Sequence, residues 1–306
     1  MKTAFISHPD CHLHQMQSWH PEMPQRLAAI ENQLIADGLM AQLARHDAPL
    51  ATQQQLLRAH SEKHITLIEQ TAPSEGIMNL DLDTGMSPHS LQAAQRAAGA
   101  LVLAVDLVMS KQMDNAFCNV RPPGHHAGRA KAMGFCLFNN IAVGVAHALE
   151  AHGLQRVAVV DFDVHHGNGT EDIFRDDARV IMVSTFQHPL YPYSGIEGHS
   201  ERMINIPLAE GSDGVKFRAA VTEHWLPALA AFQPQMLFIS AGFDAHRDDE
   251  LAGMNLDESD YEWVTRQLKQ VAMQYAEGRI VSTLEGGYDL PALGKSAAAH
   301  VRALLS

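Results

Sequence analysis

Cysteine is scarce in this chain: Cys11, Cys118 and Cys136 are the only three in 306 residues. Their irregular spacing excludes a disulfide framework and a CxxC metal site, so a reducing compartment, the cytoplasm, is expected. Basic residues are also few. Against 35 acidic side chains stand 22 lysines and arginines, a formal charge of -13, so the basic face that a nucleic-acid binder uses to displace counterions is missing. Long apolar runs are missing too. The longest, GALVLAVDLVM, is about half a membrane span and carries Asp106. The opening MKTAFISHPD stops well short of a signal peptide's apolar core, and no membrane partner is expected. No Pro/Ser/Gly-rich linker, charge block or internal repeat divides the chain. One domain over residues 1–306 is expected.

What the chain does have is a steady alternation. TAFIS, AFCNV, RVAVV, RVIMVS, QMLFIS and RIVSTL read as buried strands, separated by helical patterns such as PQRLAAIENQLIA, SPHSLQAAQRAAGALVLAVDLVM and ESDYEWVTRQLKQVAMQYAEG. Strands apolar on both faces and spaced by helices predict an α/β fold with a parallel sheet covered by helices on both faces. Four polar clusters follow four of these strands: RPPGHH after AFCNV, DFDVHHGNGT after RVAVV, AGFDAHRDD after QMLFIS and EGGYD after RIVSTL. The carboxyl ends of parallel strands are where open α/β sheets place their ligand crevice.

The clusters carry chemistry. Asp161, Asp163 and His165 would point the same way if the segment stayed extended, and Asp163, His165 and Asp244 would form an open oxygen, nitrogen, oxygen set suited to catalytic Zn²⁺. The plainer reading is an Asp-His hydrogen-bond network. His125 and His126 follow a rigid Pro-Pro-Gly turn, and adjacent imidazoles beside an activated water suit proton transfer. Elsewhere such a pair is commonly a packing feature. Tyr288, after two glycines, could donate a hydrogen bond to a developing oxyanion, although Gly-Gly-Tyr alone is commonly just a turn.

In order along the chain, HPEMPQRL, DTGMSPHSLQAAQRAAGA, RPPGHHA, MGFCLFNNIAVG, VDFDVHHGNGT, SAGFDAHRDDELAG and LEGGYDL resemble the histone deacetylase family, in its class II and bacterial amidohydrolase-like branch. The resemblance implies an arginase/deacetylase-like fold and a metal-dependent deacetylase acting on N-acetyl amides of lysine side chains or related amines. It implies Zn²⁺, with Fe²⁺ as the alternative, on Asp163, His165 and Asp244. It places the paired histidines at His125 and His126, with Asp161 bonded to His125 and Asn168, in place of the aspartate of class I enzymes, bonded to His126. The transition-state tyrosine falls on Tyr288. Phe135 and Tyr191 match the walls of the acyl-lysine tunnel, Leu251 stands where polyamine deacetylases carry a gatekeeper glutamate, and Arg26 matches the arginine of the interior channel. A structural K⁺ would use Asp161, Asp163, His165 and Ser184. Expected partners are an acetylated lysine peptide or a small acetylated amine, and homo-oligomerisation is left open.

Three other readings stand beside this one. An acetylpolyamine amidohydrolase would use the same catalytic set. A binuclear arginase-like ureohydrolase would need further carboxylates, and AGFDAH supplies Asp244 without a second aspartate two residues on. A non-catalytic acetyl-lysine binder would be expected to lack a ligand or the tyrosine. Two features take bland readings: the His- and Cys-bearing SHPDCHLHQMQSWHPE as a rim loop, since its spacing matches no regular zinc pattern, and HRDDE as a helix start or an acidic rim.

Overall fold

The computed structural model describes residues 1–197 and 200–306. Ten strands occur among them: β1 (Thr3–Ser7), β2 (Ala44–Asp47), β3 (Met78–Asn79), β4 (Gly85–Met86), β5 (Asn115–Cys118), β6 (Val157–Asp161), β7 (Val180–Gln187), β8 (Met203–Leu208), β9 (Met236–Ala241) and β10 (Ile280–Leu284). Eight form one sheet in the order β2-β1-β5-β10-β9-β6-β7-β8, and every neighbouring pair in it is parallel. β3 and β4 make a separate antiparallel pair.

The burial pattern explains the arrangement. Successive strand residues point to opposite faces, yet every residue of β5, β6, β7, β9 and β10 is buried. Both faces of the central sheet are therefore covered, as the continuous apolar runs predict. The edge strands are less covered: β2 alternates half-buried with exposed positions, and β8 is mostly half-buried. ARHD and MINIPL consequently lack the apolar continuity that marks the interior strands, and pattern reading passes over both.

The helix Ser90–Met109 is long and apolar enough to cross a membrane, but 67% of its apolar window is buried inside this fold, against the helix Asn140–Glu150 and β5. Side-chain caps set other helix starts. Asp257 forms a capping box for Glu258–Tyr275, and Asp289, directly after Tyr288, accepts from Ala292 N–H to start Leu290–Leu305.

The sheet order has one consequence for function. β5, β10, β9 and β6 are consecutive neighbours, and these are the four strands whose ends carry the polar clusters. Because all four run the same way, their following loops meet at one edge of the sheet.

Candidate active site

The metal-type donors come together, though not by strand alternation. β6 ends at Asp161, and the chain then makes two side-chain-braced turns. Asp161 Oδ1 accepts from Asp163 N–H at 3.1 Å, and Asp163 Oδ1 accepts from His165 N–H at 2.9 Å. Aspartate favours such turns because its carboxylate reaches the backbone two residues on. His165 Nδ1 lies 3.1 Å from both Asp163 Oδ1 and Asp244 Oδ2. The ligand atoms of Asp163, His165 and Asp244 all fall within 4.8 Å of one another.

These three residues fit a divalent cation. Asp244 Oδ1 is held by Val164 N–H (2.9 Å) and Asp163 Oδ2 by Gly286 N–H (2.8 Å), which orients both carboxylates. Glycine is required around them: a Cβ on Gly242 would stand 2.0 Å from Asp163 Oδ2, and one on Gly286 2.0 Å from Asp244 Oδ2. Burial disfavours charge on His165, but its hydrogen bonds to Asp163 and Asp244 outweigh this and push its pKa up to about 10. Two buried carboxylates thus call for positive charge at this point, and a metal would supply it in place of the proton.

The histidine pair stands alongside, with ring centroids 4.0 Å apart. His125 Nδ1 is 2.9 Å from Asp161 Oδ2, and His126 Nδ1 is 2.8 Å from Asn168 Oδ1. The two environments diverge. For His125, burial opposes charge, but Asp163 and Asp161 together raise its pKa well above the ordinary value. For His126, burial and then the positive potential of His125 and His165 hold it well below. With its Nδ1–H given to Asn168, His126 presents the lone pair of Nε2.

Tyr288 completes the inner end of a cavity of about 270 Å³, whose lining includes His125, His126 and His165 together with Phe135, Tyr191 and Leu251. Phe135 meets Tyr288 edge-on at 6.0 Å, and Tyr191 meets His126 likewise at 5.3 Å. Burial raises the Tyr288 phenol well above its usual range, with the Arg26 guanidinium opposing, so the hydroxyl stays a donor. Arg26 lies 4.8 Å from the Tyr288 ring centre and donates to the carbonyls of Gly287 and Glu285. Ser184, beside Asp161 in the β6–β7 register, turns its hydroxyl to Asn205. His166 faces away from the donors, onto Glu171 at 2.7 Å.

Two carboxylates escaped the sequence reading. Glu285, inside LEGGYD, accepts from Gly124 and His125 N–H at 2.7 and 3.1 Å and so braces the histidine turn. Asp249, inside HRDDE, is buried while Asp248 and Glu250 are exposed, so the run is not simply an acidic rim. The N-terminal segment is a short helix, Asp10–Leu13, followed by an irregular, largely exposed or half-buried stretch that turns a few side chains inward. Cys11, His14 and His20 are buried, with His14 bonded to Ser90 and the His20 ring 4.5 Å from that of Phe135. His20 thereby packs against Phe135, a lining residue of the cavity.

A second donor group, Asp106, His147 and His152, does not suit a metal. Asp106 Oδ1 lies 2.8 and 2.7 Å from the two Nε2 atoms, and Arg58 Nη1 is 2.6 Å from His147 Nδ1. A guanidinium can only donate, so His147 accepts at Nδ1 and keeps its proton at Nε2 for Asp106.

Comparison with known proteins places the chain in a family. The family model described as "Histone deacetylase domain" matches residues 20–304. A "Histone deacetylase-like amidohydrolase" of Pseudomonas aeruginosa is 38% identical over 88% of this chain and 72% of its own length. A "Probable deacetylase" of Archaeoglobus fulgidus is 34% identical over 95% of this chain and 82% of its own. The crystal structure of the HDA15 HD domain superposes with a TM-score of 0.94 at 33% identity, covering 99% of this chain and 89% of that one. With the parallel sheet and its order established, the chain belongs to the histone deacetylase family of hydrolases.

Proposed function

We propose that residues 1–306 form one catalytic domain that removes acetyl groups from lysine side chains or small amines. The observation that carries this reading is the meeting of Asp163, His165 and Asp244 with the His125–His126 pair and Tyr288 at the inner end of one cavity. Asp163, His165 and Asp244 would hold Zn²⁺, or Fe²⁺ in its place. When bound, the ion supplies a Lewis acid for the acetyl carbonyl and lowers the pKa of a water molecule.

The chain's own residues do the rest. Phe135 and Tyr191 hold the acyl-lysine stem and exclude water around it. His126, neutral and with Nε2 free, takes the proton of the attacking water. His125, kept protonated by Asp161, favours negative charge at the reacting centre, and an imidazolium of the pair returns a proton to the leaving amine. Tyr288 donates to the oxygen that becomes the oxyanion. Leu251 at the rim offers no carboxylate for the distal ammonium of a polyamine, which favours acetyl-lysine over acetylpolyamines. Asp161, Asp163, His165 and Ser184 would surround a structural K⁺, partly through backbone carbonyls, and Arg26 would line an interior channel. The three free, buried cysteines support a cytoplasmic location.

The test is a fluorogenic acetyl-lysine assay before and after chelation. Activity is expected to vanish with the metal, to return with Zn²⁺ or Fe²⁺, and to be blocked by hydroxamates. Full activity of the metal-free protein overturns the reading, and arginine hydrolysis with two bound metal equivalents replaces it with the binuclear one.

A further inference from the structure

Asp249 is buried, yet it touches neither the metal-type donors nor the histidine pair. Its Oδ2 accepts from the backbone N–H groups of Tyr288 at 2.6 Å and Asp289 at 3.2 Å, and its Oδ1 accepts from Leu251 N–H at 3.1 Å. One carboxylate therefore holds the residue at the inner end of the tunnel and the residue at its rim. Tyr288 needs such a hold. It follows Gly286 and Gly287, and Gly287 sits at φ 117°, a region open to glycine and strained for other residues. The carbonyls of this turn are bound by Arg26; the N–H groups of Tyr288 and Asp289 are bound by Asp249.

Resting on the reading of Tyr288 as the oxyanion donor, we propose that Asp249 is a positioning residue: an anionic clamp on the Tyr288 backbone that fixes where the phenol points and ties it to Leu251. The chemistry requires a carboxylate. Three backbone donors converge on two oxygens, and bonds to an ionised acceptor are roughly twice as strong as neutral ones. An asparagine at this site has one acceptor oxygen and one donor NH₂. Whichever way the amide turns, at least one of these part-buried backbone N–H groups faces another donor and loses its partner. Arg26 still holds the carbonyl side of the turn, so the segment stays in place while the phenol loses its fixed direction.

The experiment is a double-mutant cycle of Asp249→Asn and Tyr288→Phe, reading kcat, KM, metal content and thermal unfolding on an acetyl-lysine substrate. Misplacement of a reacting group by about 1 Å can cost 10²-fold, so Asp249→Asn is expected to lower kcat by about tenfold or more. KM is expected to stay within about twofold, with metal content unchanged. In the Tyr288→Phe background the same change should cost less than about twofold, because the hydroxyl it positions is gone. An equal loss in both backgrounds makes Asp249 merely structural and overturns the proposal. If Asp249→Asn does not fold, Asp249→Ser, which keeps one small acceptor, is taken through the same cycle with the same criterion. Near-normal turnover of Tyr288→Phe alone would instead remove the oxyanion reading on which the clamp rests.

Discussion

His125 and His126 touch each other but stand in opposite fields. His125 faces Asp161 and Asp163, whereas the partner of His126 is the amide of Asn168. A base with a depressed pKa stays deprotonated as pH falls, so the acidic limb of the kcat/KM profile should lie low. Asn168→Asp places a carboxylate on His126 Nδ1, which favours the imidazolium and raises that pKa. The limb should move to higher pH, with activity lost at mildly acidic pH; an unmoved limb would take His126 out of the base role. His126→Ala should cost about 10²–10⁴-fold in turnover while metal content stays normal. Tyr288→Phe should cost about 10²–10³-fold in kcat with little change in the dissociation constant of an acetylated peptide, since the hydroxyl matters most once the oxygen carries charge.

At the scale of elements, the loop ends of β6, β9 and β10 are packed so closely that side chains are excluded between them. Gly286→Ala would set a Cβ 2.0 Å from Asp244 Oδ2 and 2.6 Å from Asp163 Oδ2. The expected result is loss of bound metal and of activity with a cooperative unfolding transition retained, read by elemental analysis and calorimetry. Normal metal content would separate these carboxylates from the metal centre. A second contact ties the segment after β6 to β8. Burial opposes charge on Glu171, but hydrogen bonds from His166 and Asn205 outweigh it and lower its pKa from 4.5 to about 2. A depressed folded-state pKa contributes stability that is full above the unfolded value and fades as pH falls through the folded one. Glu171→Gln should therefore be less stable than the parent near neutrality, and the difference should shrink between pH 4.5 and about 2. Urea titrations of both proteins across that range check it. Metal loss at low pH is common to both and cancels in the difference.

Over the whole molecule the formal charge is -13. A field of one sign steers oppositely charged ligands, and salt screens it, the Debye length contracting from about 30 Å at 0.01 M to about 10 Å at 0.1 M. For an acetyl-lysine peptide flanked by lysines, kcat/KM should fall over this range, while a glutamate-flanked peptide should gain. Equal responses of the two peptides would exclude steering by the molecular charge.

The sequence by itself determined the α/β alternation, the interior strands and the candidate side chains of a metal-type or proton-transfer site. Doubly buried strands need continuous apolar residues, and a metal-type or proton-transfer site needs residue types that few other roles require. Asp163, His165, Asp244, His125, His126 and Tyr288 were legible for that reason. Only the tertiary structure decided that β10 and β9 lie between β5 and β6, which brings the four loops together. It also decided that Asp161 and Asp163 are placed by side-chain-braced turns and not by strand alternation. The edge strands β2 and β8, half exposed, left too little apolar pattern to be seen. Asp249 and Glu285 were hidden for a different reason. The partners that give them their place in the site include backbone N–H groups 39 and 161 residues away in the chain, and a backbone donor carries no mark of residue type. Periodicity and side-chain chemistry belong to neighbours along the chain, whereas the partner of a buried carboxylate depends on which loop ends the sheet sets side by side.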